Sequence, residues 1–202
     1  RNMWDQPVEE MLKNLDGALS LNDHSQEKYR LTKAKLETQT KGNQFDFSEN
    51  HIFGKFELFC KRIQKLIDMF NTVRQFTALA THNLDGMESL IVNFFKIVSD
   101  FKQKKYELPD FSKNQFDRDF LEFSVAVHDL ESSLQEFINQ SFENITSTSA
   151  ALRLLNQFQA IMHRDALKRD LDDKYAVIFR NYGADLEAVQ KTYELQKHNP
   201  PK

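Results

Sequence analysis

The sequence predicts an all-α fold, an elongated antiparallel bundle of about six long helices. Three observations carry this expectation. First, the 202 residues include 5 Gly and 4 Pro, about 4.5% together where an average chain carries about 12%. Strand-and-turn architectures and parallel α/β folds spend Gly and Pro in many tight connections, so this chain has room for only a handful. Second, apolar residues recur at alternating steps of three and four over most of the length, the spacing of one helix face. Third, the breaks in that spacing are few and short.

The first helix is expected over about 6–38. Val8, Met11, Leu12, Leu15 and Leu19 lie on one face, and the pattern then thins to Tyr29 and Leu36, so 22–35 should be its least buried part. A break follows at Lys41 to Glu49, where Asp46 and Glu49 have capping-box spacing. The second helix, about 52–80, carries Ile52, Phe56, Phe59, Ile63, Leu66, Phe70 and Val73, with Phe53, Cys60 and Ile67 as a neighbouring row. A stripe that wide suits a core-facing bundle helix. The third, about 85–105, has Met87, Ile91, Phe94, Val98 and Phe101, flanked by Leu90, Phe95 and Ile97, and is expected to be the most buried. Pro109 marks the next connection, and Ser112 with Gln115 forms a second candidate capping box.

The fourth helix, about 113–140, carries Phe116, Phe120, Phe123, Val127, Leu130, Leu134 and Phe137. The fifth, about 148–163, follows the Thr146-Ser147-Thr148 cluster with Ala151, Leu155, Phe158 and Met162. The sixth, about 165–197, starts on Leu171, Tyr175 and Ile178 and drifts near Gly183 to Phe179, Tyr182, Leu186, Val189 and Tyr193, before Asn199-Pro200-Pro201 stops it. Such drift is what a straight 3.6-residue helix does over many turns. At a rise of about 1.5 Å per residue, helices this long predict a rod-like module rather than a globule with a cleft.

Charge points to no polyanionic partner. Lys and Arg number 27 against 30 Asp and Glu, a formal net charge of -3, and the basic clusters Lys61-Arg62-Lys65 and Lys102-Lys104-Lys105 read as solvated faces or helix ends. Neither nucleic acid nor membrane is expected as a partner, since no apolar run approaches the roughly 18 residues of a span and no signal peptide is read. With one cysteine, Cys60, an internal disulfide framework is impossible and a reducing compartment fits; Cys60 reads as a small core residue. The sequons at Asn139 and Asn144 read as accidental. Without a Met at position 1, the chain reads as a piece of something larger.

Catalytic and metal motifs are missing where they were sought. Gly54-Lys55 fails as a phosphate loop because Glu49 and Phe56 hold the other required places. No His has a Glu three residues before it, which excludes the di-iron bundle pattern, and one Cys with scattered His offers no zinc spacing. His163, Arg164 and Asp165 read as capping and surface pairing at a helix junction, and the 18 Phe as core packing. No catalytic, cofactor-binding or metal-binding residue is therefore assigned. Leu121 and Val125 differ, being apolar on the face of the fourth helix away from its own stripe. Either another helix of the bundle covers them or a partner does, which makes them the candidate partner-contact residues.

Several stretches resemble the N-terminal tail of axonemal dynein heavy chains. They are Phe45-Asp46-Phe47-Ser48-Glu49 with Ile52-Phe53-Gly54-Lys55-Phe56, Phe59-Cys60-Lys61-Arg62, and Phe116-Asp117-Arg118-Asp119-Phe120. Ser141 to Ser147, Asn156-Gln157-Phe158-Gln159, Tyr175 to Gln190 and Asn199-Pro200-Pro201 complete the set. The likeness is strong over 45–201 and weak before it. It implies residues 1–44 as a helix entering from a preceding tail bundle, 45–198 as a helical-bundle segment of the tail, and 199–202 as the start of a linker. The implied parent is an ATP-driven, microtubule-based motor of the cytoskeleton of cilia or flagella, whose ATP and Mg²⁺ belong to a motor domain outside this sequence, leaving this segment non-catalytic. The implied partners are dynein intermediate chains, light chains and other heavy chains, with the doublet microtubule reached through the complex. The alternative is a spectrin-like adaptor of a cytoskeletal or tethering protein, built of three-helix units over about 6–105 and 113–197, although the two halves share no motif.

Overall fold

The structure, a computed structural model, describes residues 3–39, 48–143, 145 and 147–197. Among them are six α-helices and no strand: α1 (Val8–Gln39), α2 (Glu49–Ala80), α3 (Glu88–Lys102), α4 (Gln115–Glu143), α5 (Thr148–Gln157) and α6 (Asp165–Gln196), with short 3₁₀ turns at Met3–Asp5 and Gln159–Ile161. The all-α expectation is met. The Asp46 capping box, the sequon at Asn144 and the Asn199-Pro200-Pro201 stop lie outside the described residues.

Two compact units interleave along the chain, one of residues 1–74 and 97–124, the other of 75–96 and 125–202. Tandem three-helix repeats would instead divide the chain once, so this partition does not match the adaptor alternative. In the first unit α1 runs antiparallel to α2. Glu9 pairs with Arg74 at 3.4 Å, Gln26 donates to Glu57 at 3.2 Å, and the Tyr29 and Phe53 rings meet edge-on at 5.5 Å. As one partner's number rises from 9 to 29, the other's falls from 74 to 53. α1 buries only Met11, Leu12 and Asn22, in keeping with its thinning pattern.

The α2 stripe sinks into the core from Ile63 through Leu66, Ile67, Met69, Phe70 and Val73, but Ile52 and Phe56 are exposed. The spacing predicted one continuous buried seam. Its first turns face outward because the helix beside them is the polar stretch of α1, which offers little apolar surface. Trp4, from the N-terminal 3₁₀ turn, closes the other end against Phe70 at 4.9 Å and Phe101 at 6.3 Å. Phe101 also meets Phe116 and Phe123 of α4 at 6.2 and 5.8 Å. Such offset and edge-on pairs each add about 0.5–1.5 kcal/mol beyond their buried area.

In the second unit Phe76 stacks on Phe94 at 4.2 Å, among buried Leu79 and Met87, Val127, Leu130, Leu134 and Ile138 of α4, and Leu155, Phe158 and Ile161. α6 joins this core through Leu167, Leu171 and Ile178. The turn from α2 to α3 needs left-handed backbone, supplied by Asn83 at φ 46° and Gly86 at φ 87°. α3 is not the most buried helix. Its seam is buried at Met87, Phe94, Val98 and Phe101, but Phe95 is exposed and Leu90 and Ile97 are only half-buried, because packing covers one stripe and not its flanks.

The second capping box also differs. α4 begins at Gln115, so Ser112 stands too early to cap it and bonds Asp110 Oδ1 through its hydroxyl at 2.6 Å. The Gln115 amide donates to Asp119 at 2.8 Å. Ser147 does occupy the N-cap of α5, without a side-chain cap bond, and α5 ends at Gln157, passing into the 3₁₀ turn instead of running to 163.

Candidate interaction surfaces

Three polar clusters are buried in the fold. The most elaborate surrounds Arg62, which α2 buries to 4% exposure against the connection between α3 and α4. Its Nε and Nη2 donate to Asp117 Oδ2 at 3.1 and 2.8 Å. Nη1 donates to the carbonyls of Leu108 and Asp110 at 2.8 and 2.9 Å, and Nη2 to that of Lys113 at 2.7 Å. The guanidinium also lies 5.0 Å from the centre of the Phe111 ring. A hollow of about 540 Å³ opens beside it, lined by Leu58, Lys61, Gln64 and Lys65 among others. Its basic rim invites an anion, yet a guanidinium has five N–H donors and all five are engaged here. Lys65 is likewise held on Asp117 Oδ1 at 2.7 Å. Arg62 is a clamp that fixes an otherwise irregular connection, and the sequence reading of this cluster as a solvated face is corrected at Arg62.

A second knot holds the start of α4. Asp119, 3% exposed, accepts from Lys104 at 2.8 Å, Tyr106 at 2.9 Å and Gln115 at 2.8 Å. Burial would push its carboxyl up, but the three donors and the Lys104 charge outweigh that and hold it below the ordinary carboxylate range. Asp117 is held low in the same sense, its desolvation outweighed by Lys65 and Arg62. Burial pushes the Tyr106 hydroxyl up, and its bond to Asp119 pushes it further. All three side chains are locked in structural roles.

At the junction before α6, Arg164 donates from Nε to Glu131 and from Nη1 to Gln75 at 2.7 Å, with its guanidinium 5.5 Å from the Phe76 ring centre. Its side chain is 15% exposed and that of Glu131 8%. The expected surface pairing is thus an inward one, and Arg164 holds the N-cap position of α6 without a side-chain cap bond. Cys60 is half-buried; burial, then the nearby charges of Asp23 and Glu57, push its thiol up, away from the reactive thiolate. Among the described residues there is no group of three or more His, Cys, Asp or Glu placed to hold a metal ion, and no helix is long and apolar enough to cross a membrane.

The apolar faces remain. Leu121 is 64% exposed and Val125 55%. Four residues apart on α4, they share one side of that helix, and no other described helix covers them. A larger face lies on the second half of α6. Phe179, Tyr182, Leu186, Val189 and Tyr193 follow one another at steps of three and four, and every one is exposed, Val189 at 65% and Tyr193 at 66%. Spacing alone makes these residues a packing seam. Their exposure was not legible from spacing, because periodicity marks a face without saying what lies against it. Val189 stands about five turns after buried Leu171, on the same side of α6, so the second half of the helix is exposed because no described element packs over it.

Comparison with known proteins supplies the context for these faces. The family model described as dynein heavy chain, N-terminal region 1, matches residues 1–202. The chain belongs to the dynein heavy chain family. It is 49% identical over 200 residues to the dynein gamma chain of the flagellar outer arm of Chlamydomonas reinhardtii, covering 98% of this chain and 4% of that one. Against dynein axonemal heavy chain 5 of Rattus norvegicus it is 34% identical over 199 residues, covering 98% of this chain and 6% of the relative. Against dynein axonemal heavy chain 8 of Homo sapiens it is 32% identical over 200 residues, covering 99% and 4%. The chain therefore spans only a small part of the length of these axonemal and flagellar heavy chains, and the matched tail region is one without a motor ATPase domain.

Proposed function

We propose that this segment is a scaffold in the tail of an axonemal dynein heavy chain. It helps assemble the heavy chain with intermediate chains, light chains and other heavy chains, and passes force between a distant motor and its anchorage on the doublet microtubule. ATP and Mg²⁺ act in the motor domain and not here, and the setting is the axoneme of a cilium or flagellum. The observation that carries the assembly role is the pair Leu121 and Val125, which remain exposed on α4 although that helix buries Phe116, Phe123, Val127 and Leu130 on its other side. For force, a close-packed core is stiff: tilting one helix unpacks many side chains at once, and the clamps at Arg62, Asp119 and Arg164 fix the connections where a bundle would yield first.

The test is to replace Leu121→Glu together with Val125→Glu in the heavy chain and measure its association with the other dynein subunits. Surface substitutions of this kind leave stability within about 0.5 kcal/mol, so helicity and melting should not change. Buried interface hot spots are worth about 2 kcal/mol or more each, so association should weaken at least about tenfold. Undiminished association overturns the assignment of these residues. Loss of folding assigns them to the core instead.

A further inference from the structure

The exposed stripe on α6 is too long and too regular for an ordinary surface. Phe179, Tyr182, Leu186, Val189 and Tyr193 are all exposed. Monomeric proteins rarely leave contiguous apolar patches larger than a few hundred square ångströms uncovered. Beside the stripe, α5 and α6 enclose a groove of about 590 Å³ with Leu152, Arg153 and Asn156 on one wall and Tyr182, Leu186 and Val189 on the other. α5 and α6 are joined across it by the Thr148 hydroxyl donating to Asp185 at 2.8 Å.

We propose that the occupant is the next helix of the same heavy chain: a segment of about 15 residues that begins within a few residues of Lys202 and returns antiparallel over the stripe. Three facts favour this occupant. The matched region is the N-terminal region of relatives of which it makes up 4–6%, so most of those chains follow it. The apolar steps continue to the last turns of α6, and Pro200-Pro201 comes directly after in sequence, the usual sign of a helix stop and a turn. Sequential helices joined by short loops pack as antiparallel neighbours, and tethering gives such a segment an effective concentration in the millimolar range. This half of α6 carries charges of both signs, Arg180, Asp185, Glu187, Lys191, Glu194 and Lys197. It lacks the one-signed patch that steers a separate protein partner. From Phe179 to Tyr193 the stripe is about 21 Å long at 1.5 Å per residue, a length that about 15 helical residues match. α6 is then shared: Leu167, Leu171 and Ile178 serve the core described above, and its second half serves the bundle that follows. This goes beyond the scaffold reading, which concerns a different surface on α4.

The experiment uses the intact heavy chain in its assembled complex, with a photo-reactive amino acid in place of Gln190. The expected crosslink is intrachain and maps within about 40 residues after Lys202. A crosslink to a second heavy chain or to another subunit overturns the proposal while leaving the scaffold reading strengthened, and so does the absence of any product, which leaves the stripe bare. In parallel, Leu186→Glu with Val189→Glu should raise hydrogen exchange about tenfold or more in 179–196 and in the segment after Lys202, with 165–178 unchanged. Unchanged exchange after Lys202 overturns it. The crosslink, made in an otherwise native chain, decides the matter if the double variant does not fold.

Discussion

Replacing Arg62 by methionine keeps roughly the same buried volume and removes all five donors of the guanidinium. The carbonyl oxygens of Leu108, Asp110 and Lys113 then lose their shared partner. Asp117 is spared the worst, because Lys65 still holds its other oxygen at 2.7 Å and the carboxylate is about a third exposed. A hydrogen bond to a charged group is worth about 1.5–3 kcal/mol, and removing one partner of a fully buried ion pair costs about 3–5 kcal/mol. Partial exposure of the connection lets water replace some of this, so the expected loss is about 2–4 kcal/mol. For a chain of this size, each kcal/mol lowers Tm by about 2–4 °C, which gives a fall of roughly 4–16 °C. Urea unfolding followed by far-ultraviolet circular dichroism should show the midpoint falling with the slope unchanged. Arg62→Lys should lie between, since an ammonium can keep Asp117 but cannot fork to three carbonyls. A loss under about 1 kcal/mol for Arg62→Met would refute the reasoning, because the carbonyls would then be satisfied by water at no cost.

Other outcomes follow from the same structure. A Cβ at Gly183 meets nothing within 4 Å, so Gly183→Ala should stabilise α6 by about 0.5–1 kcal/mol; in the native chain hydrogen exchange should be faster around Gly183 than at buried Leu171, and equal rates would show no soft point there. Asp117 and Asp119 are held below their ordinary range, so their folded pKa lies under the unfolded value of about 3.9. Their contribution is complete above that value and is lost as pH falls through the folded one. The urea midpoint should therefore drop as pH falls below about 4, and Asp119→Asn should lower the midpoint at pH 7 and flatten that acid limb; an unaltered limb would show that Asp119 is not a source of it.

The helices were legible because their information is local. Steps of three and four residues, with few Gly and Pro, fix which segments are helical and which face of each is apolar, and the structure places α2, α3, α4 and α6 within a few residues of expectation. The same local reading singles out Leu121 and Val125, since an apolar residue off its own stripe stands out in a single helix, and the structure leaves both exposed. The partners of each face depend on what packs beside it, which spacing does not encode. Ile52 and Phe56 belong to the same stripe as Ile63 and Phe70 yet stay outside, because polar α1 is their neighbour. The stripe from Phe179 to Tyr193 is indistinguishable by pattern from the buried one of α4. Arg62, Asp119 and Arg164 look like surface charges in the chain and are interior clamps in the fold. Apart from Gln115 on Asp119, their partners lie 13 to 89 residues away, and only the folded chain brings those donors and acceptors within hydrogen-bonding distance while excluding the water that would otherwise satisfy them.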